Sequence, residues 1–202
     1  MSRLFETIRV VDKTLRNVDY HNARLNRSRR ELFGCTNTFD LRDLVHVPPD
    51  LGLGEYKCRV VYATTIEQFE FVPYQRRAVR SLTLVECDTI EYAHKFVDRT
   101  CIDSLLQGIL TDDILIIKHG RITDASFANI VFCDGTKWIT PSTPLLPGTA
   151  RARLLDQGRI TTDEIKPRDL RHFTKAVLIN AMLDLKDDCS ISMENITWPK
   201  IR

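Results

Sequence analysis

Between residues 56 and 86 the chain strings together three strand-like segments, 56–65, 68–74 and 80–86, with no room for a helix between them. Each is rich in Val, Tyr, Phe or Thr, side chains that suit a pleated, half-buried surface. Upstream, residues 5–11 are short and β-branched, and Asp12-Lys13 before Thr14-Leu15 reads as a tight hairpin. Residues 17–34 change character. Asp19 is placed to cap a helix, Ala23, Leu25, Leu32 and Phe33 supply apolar contacts, and Gly34 suits the stop. A loop dense in Pro and Gly, 46–54, then leads into the strands. Two strands, a helix and a run of consecutive strands indicate an α+β fold rather than a doubly wound parallel sheet.

The second half continues the pattern. Ile102, Leu105 and Leu106 recur at helical spacing within 98–108. Segments 113–118 and 122–123 read as strands around His119-Gly120, and 129–133, Asp134-Gly135 and 137–140 form a hairpin signal. After Pro147-Gly148, Thr149 is placed to cap a helix that ends before Gly158, and a last apolar strand, 176–179, meets Asn180-Ala181-Met182. The polar stretch 87–92 separates two β-rich halves, so the expected subdomains are 1–88 and 89–202.

Composition excludes several classes. With 202 residues, 43% apolar and 28% charged, the chain is globular rather than disordered. A net charge of +2 gives no global pull toward nucleic acid or acidic membranes. The six cysteines (Cys35, Cys58, Cys87, Cys101, Cys133, Cys189) contain no CxxC pair, which argues against a compact zinc site and for reduced thiols. No apolar run is long enough to span a bilayer and the start has no apolar signal region, so a cytoplasmic protein with no membrane and no nucleic-acid partner is expected.

Three places suggest chemistry by residue type. Arg24, beside Arg27, Arg29 and Arg30, offers a guanidinium that can grip an anionic oxygen group, and solvated helix surface explains the same residues. Gly148-Thr149 at a helix start offers unpaired N–H groups to an anion, and ordinary capping by Thr149 is the alternative. Lys95 lies among aromatic and apolar residues, where partial desolvation would make its amine nucleophilic; a surface lysine is the alternative.

Taken in order, the motifs resemble the class IV aminotransferase family, the fold-type IV enzymes that use pyridoxal 5′-phosphate. The matching residues are Phe5-Glu6-Thr7-Ile8-Arg9-Val10, His21-Asn22-Ala23-Arg24-Leu25 and Lys95-Phe96-Val97-Asp98-Arg99. They continue with Gly120 through Asp124 to Asn129, Thr140-Pro141, Leu146 to Arg151, and Asn180-Ala181-Met182. The resemblance implies two small α/β subdomains with mainly antiparallel sheets, a cofactor cleft between them, and a homodimer. It places Arg24, Gly148, Thr149, Asn180 and Ala181 on the cofactor phosphate, and Lys95 as the catalytic amine that takes the cofactor aldehyde. Asp124 falls where the family usually has a glutamate facing the pyridine nitrogen; a turn residue beside Gly120 is the competing reading.

The resemblance also marks departures. Family members carry a glycine-rich segment ahead of the first strand, bordering the substrate pocket, and the chain is expected to be shortened there. Where some members have an arginine- and glycine-rich loop, Tyr62 to Glu67 reads as a plain hairpin. The first expectation for activity is an aminodeoxychorismate-lyase-like reaction releasing pyruvate and 4-aminobenzoate for folate biosynthesis. An amino-acid transaminase of the D-amino-acid or branched-chain type and a non-catalytic cofactor-binding homologue are the alternatives. Arg59, Tyr62 and Arg76 are candidates for the substrate carboxylate, ordinary strand positions explain them equally, and no metal is expected.

Overall fold

Strand β1 (Leu4–Val11) alternates strictly: Leu4, Glu6, Ile8 and Val10 are buried and the residues between them are half-buried. A period of two puts three aliphatic side chains and one carboxylate on the same inward face. The computed structural model describes residues 2–185 and 190–199. Asp12 and Lys13, with φ of 48° and 64°, reverse the chain in the left-handed turn that matches strand twist, and β2 (Thr14–Leu15) pairs back on β1.

Helix α1 (Val18–Phe33) follows, and the capping differs from expectation. Asn17 precedes the helix without a side-chain cap, while Asp19 sits in the first turn and accepts a hydrogen bond from Arg42. A carboxylate suits that end of the helix dipole without capping it. Gly34, at φ 67°, ends α1 as expected, its N–H bonding the Arg30 carbonyl. Leu32, expected as an apolar contact, faces solvent.

After the short α2 (Leu41–Leu44), β3 (Glu55–Tyr62) and β4 (Ile66–Pro73) complete an antiparallel sheet in the order β2-β1-β3-β4. Leu4, Ile8, Val18, Leu25, Val60 and Tyr62 are in its core. Because β2 covers only the far end of β1, the near end is open to another segment. Residues 94–98 take that place: the Phe5 N–H bonds the Lys95 carbonyl at 3.0 Å and the Val97 N–H bonds the Arg3 carbonyl at 2.9 Å.

The first compact body is therefore Met1–Arg76 with His94–Asp98, and the second is Arg77–Ala93 with Arg99–Arg202. This differs from the contiguous division at residue 88. Strand β5 (Leu82–Glu86) pairs in parallel with β6 (Asp113–Lys118), so it joins the second body, while backbone bonds to β1 carry Lys95 into the first.

In the second body α3 (Thr100–Asp103) and a 3-10 turn replace the longer helix expected over 98–108. His119 and Gly120, both with positive φ, turn β6 into β7 (Arg121–Ala125). Then come β8 (Asn129–Cys133), β9 (Trp138–Pro141), α4 (Thr149–Asp156) and β10 (Thr161–Asp163). Strand β11 (Lys175–Ile179) lies antiparallel to β8, β12 (Ser190–Ser192) pairs with β11, and β13 (Ile196–Thr197) runs parallel to β5. The strand pairs are mainly antiparallel, as expected; β5–β6, β5–β13 and β9–β10 are the parallel ones.

Cys35, Cys58, Cys87, Cys101 and Cys133 are free thiols, and Cys189 lies outside the described residues. Among the described residues no cluster fits a metal ion and no helix is long and apolar enough to cross a membrane. Replacing Gly34 by alanine forces a side chain into the left-handed region, so unfolding in urea should show a loss of about 1 kcal/mol.

Candidate active site

His21 and Arg24 stand three residues apart on α1, hence on one face of it, and that face meets Glu6 from β1. The Arg24 guanidinium donates from Nε to Glu6 Oε1 at 2.8 Å and from Nη2 to Oε2 at 2.5 Å. His21 Nδ1 lies 2.6 Å from Glu6 Oε2, and all three side chains are buried. Burial by itself would raise the Glu6 pKa; the Arg24 charge and the bonds from His21 and Arg24 overcome it and hold the carboxyl at about 2. For His21 burial dominates and lowers the pKa, with the Arg24 and Lys95 charges acting the same way against the pull of Glu6. The neutral imidazole therefore donates its Nδ1–H to the carboxylate.

Lys95 is half-buried, its Nζ 4.6 Å from the centre of the Phe5 ring. The Arg59 guanidinium approaches the same ring at 4.9 Å and lies 3.9 Å from Glu70. Phe5 thus gathers the expected catalytic amine and one expected substrate residue at one aromatic ring. The other two differ. Arg76 is exposed at the end of the first body, and Tyr62 is fully buried in its core, where desolvation pushes the phenol above its ordinary range. Core packing, rather than contact with a substrate, accounts for Tyr62.

The neighbouring arginines also separate. Arg29, read as a candidate for solvated helix surface, is buried, donating to the Thr64 and Asn37 carbonyls and stacked 3.5 Å above Phe39. Arg27 lies 3.8 Å from Glu31, and Arg30 is exposed.

In the second body Asp124 on β7 and Asn129 on β8 are direct cross-strand partners, so their side chains share a face. Asn129 Nδ2 donates to Asp124 Oδ1 at 2.7 Å and to the Leu146 carbonyl at 2.9 Å, while the Leu146 N–H donates to Asp124 Oδ2 at 2.9 Å. Asp124 is a buried strand residue and not a turn residue. Burial raises its pKa to about 6, against the lowering effects of Leu146, Asn129 and the Arg151 charge.

Gly148, with ψ 149°, is the residue before α4, and Thr149 is the first helical residue rather than the cap. The first turn of α4 is buried and has no side-chain cap, leaving main-chain N–H groups suited to an anion. A Cβ on residue 148 would overlap the Asn129 carboxamide oxygen, which accounts for glycine there. Asn180 follows Ile179, the cross-strand partner of Asn129. Its carboxamide oxygen accepts the N–H groups of Met182 and Leu183 at 2.8 and 3.0 Å, so the side chain braces its own turn, with half-buried Ala181 within it. The amide nitrogen, Nδ2, points to the Phe127 carbonyl at 3.5 Å.

The class IV amino-transferase model matches residues 106–186. The chain is 39% identical over 185 residues to an uncharacterised protein of Haemophilus influenzae, covering 90% of this chain and 98% of that one. It is 36% identical to a Haemophilus somnus 129PT protein described as "a putative 4-amino-4-deoxychorismate lyase". The two structures superpose with a TM-score of 0.83, covering 92% and 98% of the two chains. A Mycobacterium tuberculosis "hypothetical aminotransferase, PLP-bound form", 17% identical with a TM-score of 0.75 over 96% of this chain and 81% of that one, shares the fold. The chain belongs to the class IV aminotransferase family. Its architecture is that of the fold-type IV enzymes, and it is an enzyme of the family's pyridoxal 5′-phosphate-dependent lyase and transaminase class.

Residue classes alone assigned no role to Glu6, His21, Asn129 or Arg151. The alternation of β1 gives the signal for Glu6, since a carboxylate on an inward position needs a partner. The His-x-x-Arg spacing supplies that partner. Asn129 and Arg151 carry no comparable local signal.

Because the folded Glu6 pKa lies below its unfolded value, its stabilising effect is complete above about pH 4.5 and is lost as pH falls toward 2; for a shift of this size that is roughly 3 kcal/mol. The lowered His21 pKa removes stability in a separate window, as pH falls below 6.5 and the unfolded chain takes up a proton. Urea unfolding followed from pH 7 to 3 should show both declines. Glu6→Gln should abolish the lower one and cost about 3–5 kcal/mol at pH 7, since it strands the buried Arg24 charge.

Proposed function

We propose that the protein is a pyridoxal 5′-phosphate-dependent lyase that converts 4-amino-4-deoxychorismate into pyruvate and 4-aminobenzoate, a precursor in folate biosynthesis. The observation that carries the cofactor assignment is the grouping around Asn129: a buried carboxylate, an uncapped helix start and a strand-end turn on neighbouring elements. A phosphorylated pyridine asks for that combination, an acid opposite its ring nitrogen and several main-chain donors for its phosphate. The description given to the Haemophilus somnus relative supports the lyase over the transaminase.

Bound, the cofactor supplies an aldehyde that captures the substrate amine and a ring that takes up electrons as bonds in the substrate break. Lys95 Nζ is the amine that would hold the aldehyde in the absence of substrate. The same amine then takes the proton from the substrate ring carbon and returns one to the enolpyruvyl methylene, so that pyruvate leaves as the ring becomes aromatic. Asp124, with a pKa of about 6, is mostly ionised at pH 7 and would keep the pyridine nitrogen protonated. Its stem is one methylene shorter than the family's glutamate, and Asn129 and the Leu146 N–H fix where its two oxygens lie.

In the second body the Gly148-Thr149 backbone and the Asn180-Ala181 turn would offer main-chain donors to the phosphate, and in the first body Arg24 would offer its guanidinium to an anion. The bidentate pairing with Glu6 fixes the plane of that guanidinium. Arg59, at the same ring as Lys95, receives a substrate carboxylate. The working form in this reading is a cytoplasmic homodimer.

Protein reconstituted with pyridoxal 5′-phosphate should be yellow, and borohydride reduction with peptide mapping should place the label on Lys95. Lys95→Ala should abolish the chromophore, and Arg24→Ala should weaken cofactor binding by about 1.5–3 kcal/mol, read by absorbance titration. Incubation with 4-amino-4-deoxychorismate should release pyruvate and 4-aminobenzoate in equal amounts. Conversion of the cofactor to its amine form by an amino acid, without that release, would replace the lyase by a transaminase. Sedimentation should give about twice the 23.3 kDa chain mass.

A further inference from the structure

We infer that Asn129 is a positioning residue that couples the partner of the cofactor's ring nitrogen to the cradle of its phosphate, and that residue 148 is glycine to give it room. The inference rests on the cofactor reading above. Three contacts converge on this one side chain. Its Nδ2 donates to Asp124 Oδ1 at 2.7 Å and to the Leu146 carbonyl at 2.9 Å, and its Oδ1 occupies the space that a Cβ at 148 would need. Leu146 itself donates its N–H to the other Asp124 oxygen at 2.9 Å, so carboxylate, carboxamide and the backbone before α4 form a closed ring.

The chemistry of an amide is required here. Nδ2 meets two acceptors, the Asp124 carboxylate and a carbonyl, and a carboxylate at 129 would meet both with repulsion. The backbone of β8 fixes the same side chain from beneath, through the Asp124–Asn129 pair on one side and the Ile179–Asn129 pair on the other. A shift of Asn129 therefore moves the acid and the helix start together. The span between ring nitrogen and phosphate in the cofactor is fixed by its covalent frame, so the two ends of the site must keep a fixed separation to be occupied at once.

The test uses the full-length protein as wild type, Asn129→Ala, Asn129→Asp, Gly148→Ala and the Asn129→Ala/Gly148→Ala double variant. The first readout needs no cofactor: the Asp124 carboxyl is titrated by carbon NMR in the apo protein. Loss of the Nδ2 donor should raise its pKa above the wild-type value, and Asn129→Asp should raise it further. The second is affinity for pyridoxal 5′-phosphate by absorbance. Asn129→Ala and Gly148→Ala should each weaken binding by about tenfold or more, and the double variant should be no worse than Gly148→Ala alone, because the overlap is gone.

An Asp124 pKa unchanged in Asn129→Ala, or single losses that multiply in the double variant, would overturn the coupling. Should Gly148→Ala fail to fold, the two Asn129 titrations decide by themselves. Absence of cofactor binding by the wild type would remove the proposed function, and with it the cofactor role of Asn129; normal wild-type binding with an unmoved Asp124 would remove only the coupling.

Discussion

The second body depends on the carboxamide of Asn129 being held between a carboxylate and a carbonyl. Strand pairing brings Asp124 opposite Asn129, and the Leu146 N–H takes the other carboxylate oxygen. Without those donors a carboxylate this deeply buried would hold its proton to higher pH, because burial alone disfavours its charge. The site is thus electrostatic before it is steric. The packing that excludes water from Asp124 and the amides that keep it ionisable act in opposition, and a pKa of about 6 is where they meet.

The first body resolves a similar conflict in the opposite direction. Glu6 points into an aliphatic core, yet three donated hydrogen bonds and a neighbouring cation hold its proton off down to about pH 2. The arrangement orients more than it stabilises, since a buried ion pair returns little beyond its own desolvation cost. What it secures is direction: the Arg24 guanidinium plane is fixed by a bidentate grip on an element different from its own.

Much of this was legible in the residues. Strand alternation, the Asp12-Lys13 turn, the Gly34 stop and the hairpin after Tyr62 are local signals, and the structure contains each of them. Parallel pairing of β5 with β6 was not legible, because partners chosen across distant sequence leave no local mark. The capture of residues 94–98 by β1 is hidden for the same reason: it uses main-chain groups that every residue carries. Capping failed for a different reason. Asp19 and Thr149 are the right residue types set one or two positions too late, so Asn17 and Gly148 precede the helices instead. Tyr62 shows the ambiguity of a polar aromatic in a strand, where the ring can face inward as well as out. The part Asn180 Oδ1 plays in bracing its own turn was not legible either, since it depends on how the chain turns after β11.

The backbone bond from the Phe5 N–H to the Lys95 carbonyl has an evolutionary corollary. Lys95 is moored by peptide groups, so drift in the surrounding side chains can change its neighbourhood while leaving its anchor in place. At position 5 the mooring is indifferent to every replacement that retains an amide hydrogen; proline, which has none, would cut it.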